Sequence, residues 1–437
     1  MRERVKVQIL DAVRNDHGES SKKSIQAATG LAWGTVCKNV DGMISDGLLV
    51  YRKEEPSGRG RPIGHVMLNP NGGFLMGVDL GGAFWRVLFT DFMFKPLFKK
   101  TIRRPDYAGA DAFCPELFRF LECALKESSL PCARLCGIGI GISGNIDSEH
   151  GILVSAANLG LKNGTNLALR KRVEEQFGVK TYLSTSQAAA AWAEYHFGRY
   201  AGTGNLITVG IGVGIGAAII ANHTLLPNRP DRPTGYIGHL YLPGINRPCV
   251  CGNSGCIEAF SGGNSLAAIA RELHAGTTSP DAAGLDRLAA SGDPETRELL
   301  CRAADYDAFG IAFLVQMYHP DVLIFTGAQC RTDGFLFREL LRRLDHHVPP
   351  PRRGGMSIAL SELGAEHTAL GAARLYFENL FCPVPRPAVS PDMTEKCRGL
   401  PEITGFLHRT KRKTDSKTAL FQEYSFFLKK QIENIKK

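Results

Sequence analysis

The pattern of apolar and polar positions changes character near residue 70. Before it, Val5, Ile9, Leu10 and Val13 fall at helical spacing, and Asn15-Asp16-His17-Gly18 breaks that helix. Ser20 or Ser21 can cap a short helix through Ile25, Ala27 and Ala28 to Thr29, where Gly30 supplies a turn and Leu31 docks between helices. A third helix carries Val36, Val40 and Ile44 on one face, with Lys38 nearly opposite, Thr35 and Asn39 on a flank and Trp33 near its start. Residues 48–51 and 65–68 read as strands around a turn at 54–58. Beyond residue 73 the chain alternates buried strands (73–83, 85–90, 135–142, 206–220 and 322–325) with helices (112–126, 168–177, 187–197, 265–273 and 303–318). Strands that end in Gly or Ser and alternate with helices predict an α/β fold whose ligand sits at the strand tips.

Three short helices followed by a two-stranded wing form the layout of a winged helix-turn-helix, with Trp33–Ser45 as the recognition helix. The wing carries Gly58-Arg59-Gly60-Arg61-Pro62, and arginines separated by glycine suit a narrow minor groove or phosphates. Trp33, Thr35, Lys38, Asn39, Arg59 and Arg61 are the expected contacts to double-stranded DNA. The same layout also occurs in protein-binding modules, and the wing arginines can equally be solvated.

Charge supports the first of these readings. The formal net charge of +9 divides into +3 for residues 1–70, +5 for residues 388–437 and +1 for the body, so a polyanion would meet the two ends. Apolar residues make up 44% and charged ones 22%, ordinary for a soluble globular chain with room for several domains. No apolar run reaches the length of a membrane span. Without an apparent signal peptide, the expectation is a reducing cytoplasm and no membrane partner.

The densest chemistry is Cys249-Val250-Cys251-Gly252-Asn253-Ser254-Gly255-Cys256-Ile257-Glu258, ten residues after Gly238-His239. Three thiols and an imidazole at these intervals suit one tetrahedral zinc, and four protein ligands leave no open position for a catalytic water, so the site reads as structural. A disulfide or inert thiols are the alternatives, and a disulfide does not suit the expected compartment.

The order of Asp79-x-Gly81-Gly82, the glycines of 210–216 (with Gly212 and Gly214), Gly238-His239, the cysteine box and Thr326-Gly327-Ala328 resembles the ROK family of repressors and sugar kinases, from residue 73 to about 380. The first seventy residues resemble the winged helix of that family's repressor branch. The resemblance implies an actin-like, ribonuclease H-like fold of two α/β lobes holding a sugar and ATP between them. With the module at 1–70 in front, it implies the divisions 71–186 (with helix 366–381 packing back) and 187–365; the basic tail at 388–437 has no counterpart in the family pattern. It also makes His239, Cys249, Cys251 and Cys256 ligands of a structural Zn2+ that shapes a sugar-binding loop. Asn158, Ser186, Tyr236, His239 and Glu258 then fall at sugar-facing positions, and Asp79, Gly81, Gly82, Gly212 and Gly214 in remnants of the phosphate loops.

Several of those positions depart from the family's kinase pattern. The family's Asn-Asp pair, whose Asp is the catalytic base, falls on Thr185-Ser186, and no Asp or Glu lies between Glu175 and Glu194. Tyr236 replaces a sugar-binding Glu, while Ala83 and Val213 replace hydroxyl residues of the phosphate loops. Losing a general base costs about 10²–10⁴ in rate, so no catalytic residue is assigned. The expectation is a repressor of sugar-metabolism genes, working as a homodimer or dimer of dimers and sensing a sugar or sugar phosphate. An ATP-dependent sugar kinase with an accessory DNA-binding domain is the alternative, and a scaffold that binds a sugar-transport protein is a third. The tail, with Lys411-Arg412-Lys413 and then Phe421, Tyr424, Phe427, Leu428 and Ile432, reads as a DNA-binding arm, a dimer contact or a solvated extension.

Overall fold

The computed structural model describes residues 2–53, 64–161, 165–231, 233–273, 282–350 and 354–381, and these belong to one compact unit, residues 1–383. The basic tail at 388–437 lies outside the described residues.

At the N-terminus, α1 (Arg2–Asn15), α2 (Lys22–Thr29) and α3 (Trp33–Ser45) pack beside an antiparallel sheet of β1 (Glu19–Ser21), β3 (Gly64–Leu68) and β2 (Leu49–Lys53). Ser21 caps α2 by accepting from the N–H of Ser24 at 3.0 Å, and Gly30, at φ 66°, ends it. Ile9, Leu10, Val13, Ile25, Val36, Val40 and Met43 form the module's interior. The buried stripe of α3 ends on Met43, with Ile44 only partly buried, because a helix returns to the same face after seven residues.

The next sheet has the order β10-β7-β4-β5-β6: β4 (Phe74–Leu80), β5 (Phe84–Thr90), β6 (Pro96–Arg103), β7 (Leu135–Ile142) and β10 (Thr181–Thr185). α4 (Gly109–Ser128) and α5 (Leu169–Phe177) follow in the same segment, and the hairpin β8 (Asn145–Asp147) and β9 (Ile152–Ser155) extends from the end of β7. α6 (Ser186–Phe197) then leads to a second five-stranded sheet. Its strands are β11 (Leu206–Ile211), β12 (Ile215–Ala221), β13 (Thr224–Leu225), β14 (Val322–Thr326) and β15 (Ser357–Leu360), in the order β13-β12-β11-β14-β15. Helices α7 (Glu258–Ser261), α8 (Gly263–Leu273), α9 (Ala282–Ser291), α10 (Pro294–Tyr318) and α11 (Phe335–His347) build the rest of this lobe. The glycine-rich stretch at 206–220 is thus a hairpin and not one strand, with Ile211 paired to Ile215 across a turn at 212–214.

Helix α12 (His367–Phe381) ties these parts together. It lies so close to the first sheet that a methyl group added at Gly77 would sit 1.9 Å from the carbonyl oxygen of Ala369, and one at Gly371 would sit 1.8 Å from that of Ala189 on α6. Backbone packs on backbone here, and a side chain at either glycine has no room. The apolar interior of the N-terminal module continues into Phe92 and Phe94 and into Ala373, Tyr376 and Phe377 of α12. Arg374, only 2% exposed, seals this junction. It donates to Asp11 of α1 at 3.0 Å, pairs with Glu378 at 2.6 Å and lies over the rings of Phe94 and Phe377. Glu378 also accepts from the indole N–H of Trp192 on α6 at 2.8 Å.

Removing one partner from a buried charge cluster typically costs 3–5 kcal/mol, because the others are left uncompensated. Arg374→Met is therefore expected to lower unfolding stability by about 3 kcal/mol or more, and a urea titration showing a loss under about 1 kcal/mol would contradict the role given to this residue. A buried acid tests pH dependence. Asp307 on α10 accepts from Ser261 Oγ at 2.5 Å and has no cation paired with it among the described residues, and burial pushes its carboxyl up to about 7. A carboxyl raised above its unfolded value of about 3.9 destabilises the fold increasingly as pH rises between the two. Asp307→Asn should gain stability over the parent near about pH 8 and lose that advantage toward about pH 4, as followed by thermal unfolding across pH.

Candidate functional site

A cavity of about 800 Å³ opens between the two large sheets, at the strand tips. Its wall includes Asp79, Gly81, Gly82, Asn158, Ser186, Gly212, Gly214, Tyr236, His239 and Glu258, so ten residues expected from the sequence come together from distant parts of the chain. Asp79 is the penultimate residue of β4, Ser186 opens α6, and Glu258 opens α7.

Asn158 and Glu258 meet across the cleft. Asn158 Nδ2 donates to Glu258 Oε1 at 3.2 Å, and the other carboxylate oxygen accepts from the N–H of Ile215 at 2.7 Å. Gly214 permits this arrangement, since a methyl group added there would lie 2.5 Å from Glu258 Oε2 and 2.6 Å from Asn158 Nδ2. Tyr236 faces the same space, its ring 5.6 Å from that of His239. Burial, aided by the charge of Glu258, pushes its phenol up to about 12, so it remains a neutral hydroxyl.

At the head of α6, Thr185 accepts from the N–H of Ala188 at 3.1 Å and so caps the helix. Ser186 is buried, with its hydroxyl 3.3 Å from that of Ser143. Asp79 and Glu258 are the two carboxylates of the cavity wall among the described residues. Both are engaged: Glu258 as above, and Asp79 with Arg86, whose Nη1 donates to Oδ2 at 3.0 Å from the adjacent strand. Burial raises Asp79 to about 6 against the pull of that guanidinium. Val213 comes close to the Gly81–Gly82 turn, its Cγ1 3.0 Å from a methyl group built on Gly82. Arg86, Phe84, Ser143 and His367 also line the cavity and were not singled out from the sequence as contacts. Arg86 carried one signal, a lone cation in an otherwise apolar strand after the glycine pair.

Beside the cleft, the ligand atoms of His239, Cys249, Cys251 and Cys256 all lie within 4.8 Å of one another. Cys251 and Cys256 Sγ are 3.8 Å apart, and Cys249 Sγ is 3.6 Å from His239 Nδ1. Zinc–sulfur bonds of about 2.3 Å in a tetrahedron place sulfurs about 3.8 Å apart, whereas a disulfide needs about 2.0 Å. Burial and the neighbouring thiols push Cys249 and Cys256 upward, so thiolates in this cluster call for a bound cation. The residues therefore fit a structural zinc. Gly252 and Gly255, at φ 95° and 83°, provide the tight turns that fold the cysteines inward. The cluster is joined directly to the cleft, because His239 lies three residues after Tyr236 and Cys256 two before Glu258.

Away from the cleft, α3 exposes Trp33 and Lys38 and half-buries Thr35 and Asn39. Asn39 Nδ2 is already committed to the Thr35 carbonyl at 2.8 Å. Asp41 of α3 and Asp46 beyond it are paired with Lys22 and Lys6, which leaves Lys38 as the outward cation of the helix. Arg59 and Arg61 lie outside the described residues.

Comparison with known proteins adds the following. The ROK family model matches residues 75–379. A xylose repressor of Caldicellulosiruptor bescii is 26% identical over 335 residues, covering 74% of this chain and 83% of its own. A glucokinase of Thermotoga maritima is 27% identical over 318 residues, covering 70% of this chain and 98% of its own. Among solved structures, a ROK family transcriptional regulator described as a homologue of the E. coli MLC protein aligns with a TM-score of 0.73 at 20% identity, over 87% of this chain and 96% of its own. A ROK hexokinase from Thermus thermophilus aligns with a TM-score of 0.55 at 28% identity, over 69% of this chain and 96% of its own. No helix among the described residues is long and apolar enough to cross a membrane.

If the four residues hold zinc, Cys251→Ser is expected to reduce bound metal, measured by elemental analysis, and to lower the thermal midpoint. A variant that keeps one equivalent of zinc would contradict the ligand set.

Proposed function

This chain belongs to the ROK family, and from that we propose that it is a DNA-binding transcriptional repressor of sugar-metabolism genes, whose kinase-like body senses a sugar or sugar phosphate. The observation that carries this reading is the N-terminal module itself. Its helix α3 turns Trp33 and Lys38 to solvent while its interior is continuous with the body, so a shift in the body can be felt at the recognition helix. The unassigned base supports the same reading. Ser186 stands where the family's kinases carry Asp, and a serine hydroxyl cannot accept a proton at neutral pH as a carboxylate does. In this reading zinc would brace the loop that bears Tyr236 and Glu258. A dimer would present two α3 helices to adjacent major grooves of a pseudo-palindromic operator. An effector acts only through its preference for one lobe arrangement over another.

A sugar kinase with an accessory domain is the second reading, favoured by the glucokinase relative. Its mark would be ATP-dependent sugar phosphorylation that disappears on substitution of Asp79.

The direct test is an electrophoretic shift of the gene's own upstream DNA, with and without a panel of sugars and sugar phosphates. No shift at low salt would overturn the repressor reading. Within a shifted complex, Lys38→Ala should weaken binding and reduce the slope of log affinity against log salt by about 0.9, the value for one lost phosphate contact. An unchanged slope and affinity would remove Lys38 from the interface.

A further inference from the structure

Phosphoryl transfer on an actin-like frame needs a divalent cation beside the phosphates and ionised or hydroxyl groups to hold it. The phosphate-loop end of this cleft is built otherwise. Its acid, Asp79, is 6% exposed and already holds Arg86 Nη1 at 3.0 Å. A metal ion approaching that carboxylate must displace a guanidinium fixed by strand pairing and by the ring of Phe84, 5.3 Å away. Such a displacement strands a positive charge in the wall of the cleft. Ala83 and Val213 bring no hydroxyl to the same loops.

Those features suit a phosphate that stays on its sugar. The family's catalytic Asp would repel a phosphate attached to the sugar, and Ser186 removes that charge. Ser186 and Ser143 place two hydroxyls 3.3 Å apart on the wall of the same cavity that Asn158, Glu258, Gly81 and Gly82 line. Arg86 lines the same cavity and brings a guanidinium, paired with Asp79, to its wall. It spends one Nη on Asp79, and its Nε is a buried donor with no partner among the described residues. A guanidinium fork with donors to spare is well matched to phosphate oxygens.

We propose that Arg86 stands in for the divalent cation, so that the cleft takes a phosphorylated sugar and holds its phosphate through this guanidinium without a metal. The proposal rests on the sugar-sensing reading above and specifies its ligand class.

The test uses the full-length zinc-loaded protein in isothermal titration calorimetry. The probes are xylose, glucose and N-acetylmannosamine, their terminal phosphate esters, and Mg-ATP, each in buffer free of Mg2+ and again with Mg2+ in excess, Mg-ATP in the latter only. At least one ester should bind about tenfold to a hundredfold more tightly than its parent sugar, with no dependence on Mg2+. Arg86→Gln should erase that advantage, and Arg86→Lys should keep part of it. The double variant Asp79→Asn/Arg86→Gln should also lack it, which separates loss of the phosphate contact from damage by an unpaired Asp79. Circular dichroism and zinc content monitor folding of each variant. Parent sugars binding as tightly as every ester, ester binding that requires Mg2+, or an advantage that survives Arg86→Gln would each overturn the proposal. If parent sugars bind and esters do not, this inference alone falls. If neither binds while the protein still shifts DNA, the sugar-sensing reading falls with it.

Discussion

A guanidinium shut away from water must find its partners inside the protein, and those of Arg374 come from separate parts of the chain. Asp11 belongs to the N-terminal module, and Glu378 belongs to α12 and also holds Trp192 of α6. Since α6 begins at Ser186 in the cavity wall and α1 packs against α3, one buried charge cluster joins the lip of the cleft to the helix that faces outward. Gly77 and Gly371 serve the same junction by letting α12 lie directly on β4 and α6. The N-terminal module and α12 share one interior, and the buried charges of Arg374 and its partners fix how they meet.

The cleft itself sits in the frame of the ROK family. Recognition groups stand where strands end and helices begin, and the His-Cys cluster holds two of the bearing segments by their roots. In the proposed repressor, three positions on the cavity wall carry the change. A serine sits at the head of α6, a valine in the second loop, and a guanidinium covers the acid of the first. In the proposed repressor these replacements turn a place for reaction into a place for retention, so binding energy is available to shift the lobes and is not spent on a transition state.

Much of this was legible in the sequence. The helices of the N-terminal module were readable because each carries its own apolar stripe and its own stop, and α3 falls on the predicted residues 33–45. The His-Cys cluster was readable because its three cysteines fall within eight residues of one another, with His239 ten residues before them. The hairpin at β11–β12 was misread as one strand, since glycines at alternate positions hide the turn between equally apolar halves. Strands β6 and β15 were not anticipated: their exposed and half-buried positions give no continuous apolar run. Arg86 escaped notice for a different reason. Its partner Asp79 lies across a strand pairing, and pairing of that kind is set by register and not by sequence distance.

The hydrogen bond from Asn158 to Glu258 joins residues a hundred positions apart, one on each side of the cleft, and it carries a cost for any occupant. A hydroxyl that takes Glu258 from Asn158 exchanges one bond for another, and the net return of such an exchange is small. Weak return at the recognition group raises the concentration at which half the molecules are filled. In the proposed sensor this pair would act as a threshold, tuning the protein to abundance: scarce ligand would leave the bond between Asn158 and Glu258 in place, and only plentiful ligand would replace it.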